Sequence, residues 1–476
     1  MSKRLIATII LMVAMFMDLM DSTITNVALP AIGADLGANA AQLEWTLAGY
    51  VIAFATLLIT GGRLGDVFGR RRVFVIGVAG FTIASLLATF AQSGDALVAT
   101  RIVQGGFAGI MVPQVLSTIQ VMFSPEERGP ILGITGALGA LGAVAGLLLG
   151  GALVTANAFG MGWRGIFLVN VPIGVILIVA AMLVVPNSTA EHPLKLDLLG
   201  VALGALAVFL VVFPLTDGRQ AGWAGWIWAM LAAAPFAILG FIAHQRRRQA
   251  ADGSALLPMR LFHDQGFRSG LIVQVLSSVG NGGYALILLF YVQQALGFTA
   301  LSAGFTILPI AIGSVIATGL AVPLAQRFGK SLTMVGGLVQ AGAFAWAIAV
   351  VNARGASLTG WDLVLPLGMA GVGMMLLMMP LMGIALGTVP TTDAGAASGT
   401  LTTFGQVGMA LGVAIAGAVY FGTVAGHTSQ AVAQQAVMGG LVVPVAAYVL
   451  AGAAALALPR MARRRASAPE PALATH

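Results

Sequence analysis

Residues 62–70 read GRLGDVFGR, and residues 322–330 read VPLAQRFGK. Leucine stands third in both, Phe-Gly seventh and eighth, and a cation last. Two short loops of like pattern, far apart in one chain, are the trace that duplication of a larger unit leaves behind. The apolar stretches between them decide what was duplicated.

A helix that crosses a bilayer needs about 20 mainly apolar residues. Fourteen stretches qualify: 5–29, 45–65, 73–92, 96–120, 130–154, 164–185, 198–216, 226–244, 268–293, 302–325, 331–351, 362–388, 397–422 and 437–459. The two loops follow the second and the tenth. Two six-span halves with two spans inserted between them give that separation. The inserted pair is bracketed by PNSTAEHPLKLD (186–197) and HQRRRQAADGS (244–254). The expected organisation is a first bundle over 1–186, an inserted pair over 187–254, a second bundle over 255–459 and a tail over 460–476.

Composition agrees. The 476 residues are 59% hydrophobic and only 8% charged, against about 25% charged in a soluble domain. The 63 glycines suit closely packed spanning helices. With the N-terminus inside, 19 of the 23 Lys and Arg fall in cytoplasmic loops or the tail, as the positive-inside rule requires. That bias puts both termini in the cytoplasm and explains the net charge of +7 without nucleic acid. MSKRLIATIILMVAM at the N-terminus has the look of a signal peptide, but no small-x-small cleavage site closes it, so it reads as an uncleaved first span.

Enzyme chemistry finds no footing. There are no cysteines, the five histidines fall in loops or tails, and the spans hold neither a metal-ligand cluster nor a nucleophile–base pair. No filter-like sequence points to a channel. No metal and no cofactor are expected.

Charge inside the spans is therefore informative. FMDLMDSTITNVALP (16–30) places Asp18 and Asp21 three residues apart in the first span, on one helix face. A carboxylate there costs roughly 2.5–3.5 kcal/mol on insertion scales. Two so close cannot comfortably ionise together, so at least one holds a proton at higher pH than a free acid. Arg101, inside the fourth span, pulls the other way. The result is a site whose charge depends on conformation, as a proton carrier needs. No other carboxylate lies mid-span, so Asp21, with Asp18 and Arg101, is the expected proton-coupling set. A polar stripe in the ninth span, Gln274, Ser278, Asn281 and Tyr284, either lines a cavity or satisfies neighbouring backbone. Asn26, Gln104, Gln114, Met375 and Met379 complete the expected substrate cavity, the methionines being suited to apolar cargo.

GGRLGDVFGRRRVF (61–74) resembles the loop 2–3 signature of the major facilitator superfamily, with Gly62, Asp66, Gly69, Arg70 and Arg71 on its key places. The resemblance implies a cytoplasmic latch in which Asp66 engages the helix start near Ala397. RIVQGGFAG (101–109) resembles the family's span 4 motif. GALGALGAVAGLLLGG (136–151) is similar to its antiporter motif at Gly142, Gly146, Gly150 and Gly151, with Leu147 in place of the usual proline. DSTITNVALP (21–30) and WRGIFLVNVPIG (163–174) resemble the fourteen-span drug:proton antiporter branch, the EmrB/QacA-like carriers. The resemblance implies an all-α membrane carrier of the cell membrane that works as a monomer among lipids. It would export hydrophobic, often cationic drugs or toxic metabolites in exchange for protons. Import of a peptide or other small solute with protons, on the same scaffold, stays open.

Overall fold

A computed structural model describes residues 3–157, 160–189, 197–218, 221–252, 255–387, 389, 393–424 and 429–459. The tail expected over 460–476 lies outside them. Among the described residues there is no strand. The chain runs through α1 (Lys3–Leu36), α2 (Ala40–Phe68), α3 (Arg70–Thr89), α4 (Gly94–Met122), α5 (Pro125–Ala156), α6 (Gly165–Leu168) and α7 (Asn170–Val184). It continues through α8 (Leu198–Asp217), α9 (Gly225–Asp252), α10 (Gln265–Phe290), α11 (Ala300–Phe328) and α12 (Lys330–Arg354). The last three are α13 (Val364–Gly387), α14 (Ala394–Val424) and α15 (Gln430–Ala454).

Each apolar stretch read from sequence falls on a helix, the sixth on α6 and α7 together. Eleven helices among the described residues are long and apolar enough to cross a membrane, and α2 makes a twelfth as a pair bent by 49°. The apolar runs within α5 and α8, Val144–Val154 and Leu199–Leu215, are shorter than that measure asks. Large apolar side chains such as Leu183, Phe236 and Leu239 stand exposed on the outside, where lipid rather than water covers them. The chain is a multi-pass membrane protein.

Separate apolar cores form at the two ends of the sequence. One gathers Leu11, Met17, Phe54, Phe81, Met111 and Leu177, and the other Ile287, Tyr291, Phe344, Leu367 and Leu441. Between them α8 lies on both α2 and α14, with Val212 and Phe213 packed against Ile52 and Ala410. Its start is capped by Asp197, which accepts the Gly200 N–H at 2.9 Å and faces His244 and Gln245 of α9. Burial pushes the Asp197 carboxyl up, but the bonds from His244, Gly200 and Gln245 outweigh it and hold the group below the usual carboxylate range.

The repeated loop has one physical purpose in both places. Gly69 joins α2 to α3 at φ +97°, and Gly329 joins α11 to α12 at φ +50°. Side chains avoid that backbone region and glycine does not, so each chain can reverse in a single residue. The repeat's own cations differ, Arg70 pairing with Asp66 while Lys330 reaches another helix, and in the first loop it is the next residue that does so. Arg71 donates to the Met182 and Val185 carbonyls at the end of α7, and Lys330 to the Leu456 carbonyl beyond α15 at 2.7 Å, where unpaired carbonyls attract positive charge.

Candidate functional site

Helix α1 carries the site, and glycines bring its neighbours close enough to complete it. A Cβ at Gly142 would lie 2.9 Å from the Phe16 carbonyl, and one at Gly146 would overlap Thr23 and Met20. Gly150 faces Ile24 in the same way, and Gly151 is buried beside it. The glycines of the antiporter-like motif thus seat α5 against the helix that holds both aspartates. Leu147, standing at the motif's proline position, is buried and touches the place where a side chain at Gly304 of α11 would begin. On the other side, a Cβ at Gly105 of α4 would overlap the Tyr50 carbonyl, and one at Gly109 would lie 2.6 Å from the Phe54 carbonyl. That close α2–α4 contact places Tyr50 beside Arg101.

Asp21 has no exposed surface, and Arg101 is 1% exposed. The Arg101 Nη1 donates to Asp21 Oδ2 at 2.5 Å and to Gln104 Oε1 at 2.6 Å. Its Nε reaches the Thr46 carbonyl at 3.2 Å. Asp21 Oδ1 accepts from Gln104 Nε2 at 3.0 Å and from Asn170 Nδ2 at 2.6 Å. Both amides also donate to Ser85 Oγ, at 2.7 and 3.2 Å. Asp18, one turn earlier, is 5% exposed and accepts the Tyr50 hydroxyl. The Tyr50 ring lies under the Arg101 guanidinium, 4.3 Å from its centroid, with Phe167 at 5.6 Å on another side, a cation–π seat. Side chains from α1, α2, α3, α4, α6 and α7 therefore close around one ion pair. A buried pair is retained only when such bonds satisfy its remaining donors and acceptors.

The three residues expected for proton coupling, Asp18, Asp21 and Arg101, stand together here. Gln104, expected in a substrate cavity, belongs to this network instead. Tyr50, Ser85 and Asn170 were not singled out from sequence, although Asn170 lies inside the quoted stretch WRGIFLVNVPIG. Asn170, the lone polar residue of its apolar stretch, carried a signal, whereas Tyr50 and Ser85 stand among threonines such as Thr46 and Thr82 and carried none.

The other expected cavity residues are scattered. Asn26 is exposed and donates to the Ser22 carbonyl at 3.1 Å. Gln114 is buried and donates to the Gly61 carbonyl at 2.6 Å. Gln274 and Ser278 are buried where α10 meets Gly405 and Gly408 of α14. Asn281 accepts the Tyr448 hydroxyl at 3.0 Å, and Tyr284 packs on Phe344 with ring centroids 4.8 Å apart. Met375 and Met379 are buried in α13. An apolar groove of about 550 Å³ opens elsewhere, between α2, α4 and α8, lined by Trp45, Ile52, Ile102 and Phe209 among others.

At the basic end, Asp66 accepts from Arg70 at 2.8 Å, and its second oxygen is buried without a hydrogen-bond partner. Gly62 and Gly69 are buried beside it. The start of α14, with the buried Ala397, is held by other residues: Gln120 donates to Ser398 at 3.1 Å, and Arg260 pairs with Asp393 at 2.7 Å. Arg63 donates to the Ala255 and Leu256 carbonyls, both at 2.8 Å, tying α2 to the approach to α10.

Comparison with known proteins places this architecture. The profile of the Major Facilitator Superfamily matches residues 11–198 and 197–413. A probable actinorhodin transporter of Streptomyces coelicolor is 38% identical over 432 residues, covering 90% of this chain and 75% of that protein. The tetracenomycin C resistance and export protein of Streptomyces glaucescens is 31% identical over 409 residues, covering 85% and 74%. Among solved structures, the human organic anion transporter MFSD10 (TETRAN) superposes with a TM-score of 0.67 over 96% of this chain and all of that one, at 16% identity, a likeness of fold.

Proposed function

This chain belongs to the Major Facilitator Superfamily, and on that footing we propose that it is a fourteen-span exporter of hydrophobic, often cationic small molecules, driven by protons. Both termini face the cytoplasm, and the first and second bundles rock about a midplane site, with α8 and α9 inserted between them. A relative named as a resistance and export protein supports small-molecule cargo and outward direction.

The observation that carries the coupling is the buried cluster of two carboxylates and one guanidinium on α1 and α4. A charge at that depth, away from the loops, is costly unless it is used. The acid pair takes a proton from the outer side and gives it up to the cytoplasm. The change in charge decides which conformation is stable. At the basic end, Arg63 and Gln120 reach across to the second half and hold the cytoplasmic side shut.

Proteoliposomes of the purified protein, challenged with a panel of hydrophobic compounds under an imposed pH gradient, test this directly. Uphill movement of at least one compound against the proton gradient is expected. Accumulation in the same direction as the protons would instead establish the importer.

A further inference from the structure

The two acids of α1 differ in what surrounds them, and the difference decides which one a proton can visit. Asp21 is held by Arg101, Gln104 and Asn170. A guanidinium and amide NH₂ groups only donate. A proton on Asp21 would find an acceptor only if a neighbour turned, such as the Asn170 amide with its unpartnered Oδ1, and it would leave Arg101 as an unmatched buried cation. Asp18 is held by the Tyr50 hydroxyl, and a hydroxyl can donate or accept. When Asp18 is ionised, the phenol donates to it. When Asp18 is protonated, the carboxyl donates to the phenol oxygen after rotation of an O–H. Proton binding there needs no neighbour to be rebuilt.

Charge gives the same answer. The groups facing Asp18 that carry or can carry charge are Asp21 on its own helix, Tyr50 on α2 and Arg101 on α4. The surrounding α3 and α7 add the neutral Ser85 and Asn170. With both carboxylates ionised, the cluster holds one negative charge too many. One proton cancels it, and Asp18 is the place where it fits.

We propose that Asp18 is the carboxyl that carries the exchanged proton, that Tyr50 is the positioning residue that holds it, and that Asp21 stays ionised as the fixed counter-charge of Arg101. The assignment rests on the proton-coupled reading above and reverses the priority that sequence gives to Asp21. Tyr50 suits the role because its ring seats Arg101 while its hydroxyl reaches Asp18, so one side chain senses both acids.

The test is infrared difference spectroscopy of the purified full-length protein in lipid, following the protonated-carboxyl stretch as pH is raised. Wild type is expected to lose one buried carboxyl band. Asp18→Asn removes that band, whereas Asp21→Asn keeps it with its midpoint moved to lower pH, because Asp18 then faces Arg101 without a second carboxylate. Tyr50→Phe keeps the ring but removes a hydrogen bond to the ionised form, so the midpoint moves to higher pH by roughly one to two units. A band lost in Asp21→Asn and kept in Asp18→Asn overturns the assignment. So does an unmoved midpoint in Tyr50→Phe, which decides the matter should Asp21→Asn fail to fold. The two readings fail separately. If the band behaves as stated but cargo moves no protons, the coupled exporter falls and the assignment stands. If Asp18→Asn still exchanges protons for cargo, only the assignment falls.

Discussion

Gly69 and Gly329 both reverse the chain at positive φ, though with ψ of opposite sign, +126° and −125°, and Arg71 and Lys330 each donate to carbonyls at or beyond the end of another helix. Inside the two halves the likeness ends. The first half buries Asp18, Asp21 and Arg101 among polar partners. The second half sets neutral groups at its centre: Gln274, Ser278, and the Asn281–Tyr448 bond within a stack of aromatic rings. The place of Asp66 in the first loop is taken by Gln326 in the second. The two loops keep what the backbone needs, while buried mid-span charge stands in the first half. On the proposed mechanism that inequality has a use, one half holding the proton switch and the other giving it a surface to move against.

The sharpest way to break this contrast is to remove its centre. Arg101→Ala leaves Asp21 as an unpaired buried charge, and a loss of about 3–5 kcal/mol in stability is expected, with export abolished. Thermal unfolding in detergent and dye efflux from cells measure the two effects. A loss no greater than that of a neutral variant in the second half would mean that the charge is incidental.

The turns should respond alike. Gly69→Ala and Gly329→Ala each force a side chain into a disfavoured backbone region, at about 1–3 kcal/mol. At Gly69 the new Cβ would also lie 2.6 Å from Asn187 Oδ1, the end of an exposed side chain that can move aside. Unfolding midpoints of the two variants check the size of the loss.

Tyr448→Phe removes a neutral hydrogen bond from the second half and keeps the ring stack. About 0.5–1.5 kcal/mol is expected, several-fold less than Arg101→Ala, by the same unfolding assay.

The smallest effect concerns the inserted pair. The Asp197 carboxyl is held below its ordinary range, so its contribution to the α8 start is present above the usual carboxylate pKa. That contribution is lost as pH falls through the lowered value. Amide protection at the start of α8, measured against the intrinsic exchange rate at each pH, should fall on acidification in wild type and be low at all pH values in Asp197→Ala.

Much of this contrast was legible before any coordinates. Fourteen apolar stretches, a repeated Phe-Gly-cation loop and two mid-span acids followed from hydrophobicity, glycine and charge, which act locally in sequence. Arg101 was found for the same reason, since a cation in a span stands out. Tyr50, Ser85 and Asn170 were not, because a hydroxyl or an amide in an apolar span has several inexpensive uses. Only the approach of α2, α3 and α7 to α1 and α4 shows which use applies. The bonds of Gln104 to Arg101, Asp21 and Ser85 were hidden for the same reason. Helical spacing gives the face of a residue but not the neighbour across from it. The stripe Gln274, Ser278, Asn281 and Tyr284 illustrates the limit: it faces α14 at one end and α12 and α15 at the other.

The most direct test of the central claim loads proteoliposomes with a hydrophobic cationic dye and a separate pH indicator, then lets the dye leave down its own gradient. Protons should enter as dye leaves, so the lumen acidifies with wild type and stays constant with the double variant Asp18→Asn, Asp21→Asn. Dye efflux through wild type at constant lumenal pH, or acidification that persists in the double variant, would contradict the account.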